Sequence, residues 1–170
     1  MDSDLSPALF RIVMSCFPIY QPFWRSPRRR SGFFSSYLSS LLGRDLAEVS
    51  GARRPAAFAP LLALLAARSG SLLNLSSLRL GTAPRCQDGR RHIALMQQLG
   101  LLVALPAWFG NLGKRVVKAP KVHLADSGLH VHLIGADAQR LARDPDVGGP
   151  VLETFVVNEL LRQAGWAPDG

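Results

Sequence analysis

Cysteine is nearly absent: Cys16 and Cys86 are the only two in 170 residues. They lie far apart in sequence, which speaks against a disulfide-stapled secreted scaffold and against a zinc cluster of thiolates. A reduced, cytoplasmic setting is therefore the expectation. Negative charge is also scarce, with 12 Asp and Glu against 20 Lys and Arg and a formal charge of +8. Such an excess favours polyanions or acidic protein surfaces as partners over cationic ligands. Long hydrophobic runs are missing too. The longest stretch free of Asp, Glu, Lys and Arg, from His92 to Gly113, holds Gln97, Gln98, Gly100, Pro106, Gly110 and Asn111. These residues divide it into helix, strand and turn, so no membrane span is expected. Asp2 and Asp4 stand where a secretory signal needs positive charge, and Arg11 shortens the apolar stretch after them, so secretion is not expected either.

What is present is a globular composition, 48% hydrophobic, with charge spread unevenly. Residues 1–84 carry 10 basic and 4 acidic side chains, 85–121 carry 7 and 1, and 122–170 carry 3 and 7. The middle segment is the basic patch. Residues 1–31 mix Pro7, Pro18, Pro22 and Pro27 with scattered aromatics and the run RSPRRR, without a stable period, and read as a poorly ordered leader.

From Phe33 to Val49 the residues Phe34, Leu38, Leu41, Leu42, Leu46 and Val49 recur at helical spacing. A second helix follows Pro55, with Phe58, Leu61, Leu62, Leu65 and Ala66 as its apolar stripe and Gly70 as its stop. These two make a helical linker over 32–70. The stretch SLLNLSSLRLG then predicts a short extended piece and a helix opening near Ser76. A further helix over Arg90–Leu99 turns Ile93, Met96 and Leu99 inward and Arg90, Ala94, Gln97 and Gln98 outward. LLVALPAW and RVVKAPKVHLAD read as strands joined around Phe109 to Gly113. Helix, helix, hairpin is winged-helix order, assigned to residues 71–125. Asp126 or Ser127 caps a short helix through Leu133, and Ala136 to Arg143 adds a turn or two. The last helix, from Pro150 to Gly165, carries Leu152, Phe155, Val156, Leu160 and Leu161 and needs a partner layer. The expected fold class is mainly α with a small β hairpin, an α+β protein.

Candidate sites are few. GNLGKR over Gly110–Arg115 has two residues between its glycines and Arg115 after Lys114. A phosphate-binding loop needs four residues there and Ser or Thr after the lysine, so nucleotide hydrolysis is not expected. His130 and His132 diverge if their segment is helical and cannot then share a metal. No cofactor and no metal are expected. Glu153 and Glu159, six apart, do not align on one helical face for paired acid–base work. The informative cluster is Lys114, Arg115, Lys118 and Lys121, with Arg85, Arg90 and Arg91 nearby in sequence. Four phosphate contacts would give a log-affinity slope against log salt of about −3.6. Gln97 or Gln98 would read adenine edges from a major groove. The bland alternative is a soluble basic wing on a protein-docking module.

Four strings carry a resemblance: FFSSYLSSLLGRDL (33–46), LLALLAARSGSLLNLSSL (61–78), PAWFGNLGKRVVKAPKVHLADSGLHVHLIG (106–135) and VLETFVVNELLRQAGW (151–166). Together they resemble the domain of unknown function that follows the ATPase core in prokaryotic AAA-type ATP-binding proteins, over about residues 32 to 166. The resemblance implies a P-loop ATPase core ahead of a winged-helix-like segment, and a C-terminal region similar to the restriction-endonuclease-like fold, of which residues 126–170 would be the start, an incomplete α/β domain. Departures from it are the unmatched leader in place of the core, an end just after the helix carrying Glu159, and the irregular segment RLGTAPRCQDGRRH. Glu159 matches the family's first-helix glutamate, but alone it cannot hold a metal for phosphodiester cleavage. The expectation is a non-catalytic binding module, with DNA or another polyanion contacted through Arg90, Arg91, Gln97, Lys114, Arg115, Lys118 and Lys121. The alternatives are a protein-interaction module that docks on an ATPase core or self-associates, and a degenerate remnant without maintained activity.

Overall fold

The computed structural model describes residues 26–42, 58–75, 86–108 and 119–166. The leader up to residue 25, the helix start at Ser76 and the turn carrying Lys114, Arg115 and Lys118 lie outside the described residues.

Helix α1 (Pro27–Ser40) opens on a proline in its first turn, where the fixed φ suits the helix and the missing N–H costs nothing. It therefore begins inside RSPRRR, ahead of the expected start at Phe33. Phe34 and Leu41 anchor it in the core. Helix α2 (Phe58–Ala66) buries Phe58, Leu61, Leu62, Leu65 and Ala66, the five stripe residues read from its spacing. After it Gly70 adopts φ +84°, a left-handed turn that only glycine takes cheaply, and β1 (Ser71–Leu72) follows.

Helix α3 (Cys86–Gln98) starts four residues ahead of Arg90, so the segment 86–90, expected as part of an irregular turn, is helical. Ile93, Leu95 and Met96 are buried while Ala94, Gln97 and Gln98 face outward. Gly100, at φ +66°, ends the turn. Strands β2 (Leu102–Leu105) and β3 (Lys121–Leu124) pair antiparallel, Leu102 against Leu124 and Leu105 against Lys121. β1 adds to the other edge of β3, Ser71 opposite Val122. The expected hairpin is thus the larger part of a three-stranded antiparallel sheet ordered β1-β3-β2, and the protein is mostly helical with one small sheet.

Helix α4 (Ser127–Leu133) is capped by Asp126, whose Oδ1 accepts from the Leu129 N–H at 2.5 Å. Helix α5 (Ala138–Arg143) is capped the same way by Asp137, which accepts from Arg140 N–H at 2.8 Å. Such caps satisfy backbone donors left unpaired in the first turn. Helix α6 (Pro145–Trp166) starts at Pro145 rather than Pro150. It runs so close to α5 that a Cβ on Gly148 would lie 2.3 Å from the Leu141 carbonyl oxygen.

One apolar cluster joins α1, α2, α3, β2, β3 and α4 through Phe34, Leu62, Met96, Leu102, Leu124 and Leu129. The helices of 58–66 and 27–40 therefore share a core with the sheet. A smaller cluster of Val131, Leu141 and Val151 joins α4, α5 and α6. Helix α4 contributes to both, so packing is continuous across residues 70 and 125.

Candidate functional site

The outward face of α3 presents Arg90, Arg91, Gln97 and Gln98 to solvent, because the opposite face is committed to the core through Ile93 and Met96. Arg90, Arg91 and Gln97 are thus brought to one helix. Lys121 is placed differently. Its Nζ lies 2.5 Å from Glu153 Oε1 on α6, so its charge is already engaged by a carboxylate. Lys114, Arg115 and Lys118 fall outside the described residues.

The Lys121–Glu153 pair borders a polar knot that the sequence reading missed. Along β3, Val122 and Leu124 turn into the apolar cluster, so strand alternation sends Lys121 and His123 to the opposite face. There α6 brings Glu153 and Thr154. His123 is fully buried, with Nδ1 3.3 Å from Thr154 Oγ1 and Nε2 3.8 Å from Glu153 Oε1. The Thr154 hydroxyl lies 2.9 Å from Ser69 Oγ and donates to the Pro150 carbonyl at 2.8 Å. Ser69 Oγ in turn accepts from the Leu124 N–H at 3.2 Å, and the Asn158 side-chain amide donates to the Leu124 carbonyl at 3.0 Å. A Cβ on Gly70 would come within 3.1 Å of Glu153 Oε2, so that glycine lets the carboxylate close over the turn.

Burial holds the His123 imidazole below its ordinary pKa, against the pull of Glu153. His130 is pushed down to about 4, chiefly by desolvation, with a hydrogen bond to the Ala66 backbone working the other way. His132 is lowered by burial too and lies against the Phe34 ring, centroids 5.4 Å apart. In helix α4 His130 and His132 diverge as their spacing implied. Among the described residues no group of three or more His, Cys, Asp or Glu is arranged to hold a metal. The knot is closed to solvent at Ser69, His123 and Thr154, so it fastens α6 to the sheet. A period-two alternation across KVHL was the available signal that Lys121 and His123 share a face; that α6 covers this face is a long-range contact.

Glu159 pairs with Arg162 on its own helix at 2.6 Å, whereas Glu153 pairs with Lys121 of β3. The apolar row of α6 stays outside: Leu152, Val156, Leu160 and Leu161 are 48%, 44%, 60% and 40% exposed. The helix docks instead through Val151, Thr154 and Asn158. Among the described residues no helix is long and apolar enough to cross a membrane.

Fold and site define a mainly helical domain with a three-stranded sheet and an exposed basic helix face. Residues 10–140 match the family described as Domain of unknown function (DUF8612), and the chain belongs to that family. It is similar to Uncharacterized protein Rv2008c of Mycobacterium tuberculosis and to Uncharacterized protein Mb2031c of Mycobacterium bovis. Each is 31% identical over 138 residues, a match that covers 80% of this chain and 31% of the relative. The chain thus spans about a third of the length of these curated relatives. Neither the family description nor the relatives' names refers to an ATPase. No solved structure matches.

Proposed function

We propose that this domain is a non-catalytic binding module of winged-helix type that meets duplex nucleic acid through α3. The observation that carries this is the placement of α3 directly before a hairpin in a β1-β3-β2 sheet, its outward face offering Arg90, Arg91, Gln97 and Gln98. A helix of that kind fits a major groove, arginine and glutamine are the side chains that read guanine and adenine edges there, and a net charge of +8 supplies long-range attraction. Lys114, Arg115 and Lys118 follow in sequence between the two strands and add phosphate contacts; Lys121, held by Glu153, does not. The test is duplex affinity against salt. Replacing Arg90 and Arg91 by Gln reduces the log–log slope by about 1.8 if both touch phosphates. Duplex affinity and slope that both stay put in that variant, or no duplex binding, overturn the proposal.

A second reading rests on the exposed row of α6. In it the domain packs on an ATPase core, the association implied by the resemblance to domains that follow such cores. Four large apolar side chains on one helix mark a protein-contact surface more often than a solvated one. Saturable binding to purified ATPase-core protein, abolished by Leu152→Gln/Val156→Gln/Leu160→Gln, supports it; binding unchanged in that variant overturns it.

A further inference from the structure

Helix α1 carries a surface that neither reading uses. Phe34 and Leu41 pin it to the core, and Phe34 stacks on His132 of α4 at 5.4 Å. One position round the helix, Arg29, Phe33 and Tyr37 follow at i, i+4 and i+8 and so share a row about 12 Å long. Phe33 and Tyr37 are each 40% exposed. Their rings are nearly parallel, 5° between planes with centroids 6.2 Å apart, and Phe33 is steadied by an edge contact to Phe34 at 5.4 Å. Arg28 and Arg29 are exposed at the end of this row, and the helix PRRRSGFFSSYLSS contains no acidic residue.

We propose that this row is a binding site for single-stranded nucleic acid: Phe33 and Tyr37 stack on successive bases while Arg28, Arg29 and Arg30 follow the backbone. Aromatic platforms beside positive charge bind single strands without sequence preference, because every base offers a π face. A lipid surface fits less well. The apolar stripe that would enter a bilayer is spent on the core, and the exposed remainder is Ser31, Gly32, Ser35, Ser36, Ser39 and Ser40 around two rings. The site is independent of α3, so the two stand or fall separately.

The test is fluorescence anisotropy of the full chain with a labelled 12-nucleotide single strand, its blunt duplex, and phosphatidylserine-containing vesicles. The strand binds, and Phe33→Ala/Tyr37→Ala weakens it by on the order of tenfold or more. Phe33→Leu/Tyr37→Leu, which keeps apolar bulk without a π face, weakens it likewise, so the test survives if the alanine variant folds poorly. Arg28→Gln/Arg29→Gln lowers the salt slope by about 1.4. Full affinity in the leucine variant, no strand binding, or binding to vesicles alone overturns the proposal.

Discussion

Helices α2 and α6 are both rich in aliphatic residues, yet they use them in opposite ways. In α2 the five apolar residues at helical spacing are all buried and pack on β3 and α4. In α6 the apolar row Leu152, Val156, Leu160 faces water, while two of the residues turned inward are the polar Thr154 and Asn158. The inversion is tolerated because Thr154 and Asn158 are both paired, Thr154 with the Pro150 carbonyl and Ser69, Asn158 with the Leu124 carbonyl. A buried hydroxyl or amide is costly only when unpaired. Hydrophobic spacing thus says that a helix has two faces; it does not say which one the rest of the chain covers.

The largest effect that sharpens this contrast is at α2. Leu62 is fully buried among Phe58, Met96 and Leu124, and Leu62→Ala is expected to lower unfolding free energy by about 2–5 kcal/mol. Urea denaturation followed by far-UV circular dichroism measures it. A loss below 1 kcal/mol would mean that α2 is not the centre of the core.

Next in size is an acid sensitivity in α4, which belongs to both clusters. The His130 pKa is about 4 when folded against roughly 6.5 for a free imidazole. Between those values the unfolded chain binds the extra proton, so stability is full above pH 6.5 and falls as pH drops towards 4, by on the order of 3 kcal/mol. His123, also lowered, adds in the same direction. In urea titrations from pH 7.5 to 4.5, His130→Gln should flatten this dependence; a profile as steep as that of the parent would assign the acid loss to other groups.

The same contrast explains how much was legible in sequence. The stripe of α2, the inward Ile93 and Met96 of α3 and the Asp126 cap are set within a few residues by spacing and capping chemistry, and each could be read locally; the β2–β3 pairing joins residues farther apart but was signalled by two β-rich runs either side of a glycine-containing stretch. Helix starts at Pro27, Cys86 and Pro145 were placed too late, because charged or glycine-containing first turns carry little apolar period. The third strand was visible only as an extended piece, since its pairing with Val122 is long-range. At the candidate site, the outward placement of Arg90, Gln97 and Gln98 was readable from one helix. The capture of Lys121 by Glu153 was not, because it joins residues 32 apart in sequence through a helix–strand contact.

The smallest expected effect is the most informative about α6. Leu152→Gln/Val156→Gln/Leu160→Gln removes three apolar side chains that are 48%, 44% and 60% exposed, and glutamine is a good helix former. Changes at exposed sites are usually within about 0.5 kcal/mol each, so the variant should melt close to the parent in thermal denaturation. Sedimentation velocity run alongside separates the causes of any other result. A destabilised variant whose parent sediments as a dimer would mean that the row is covered by a second copy. A destabilised variant from a monomeric parent would mean that α6 packs on its own chain through Leu152 and Val156. An unchanged melt leaves the row with no role in folding, and four exposed aliphatic side chains on one helix are then accounted for by a surface outside this domain that covers them.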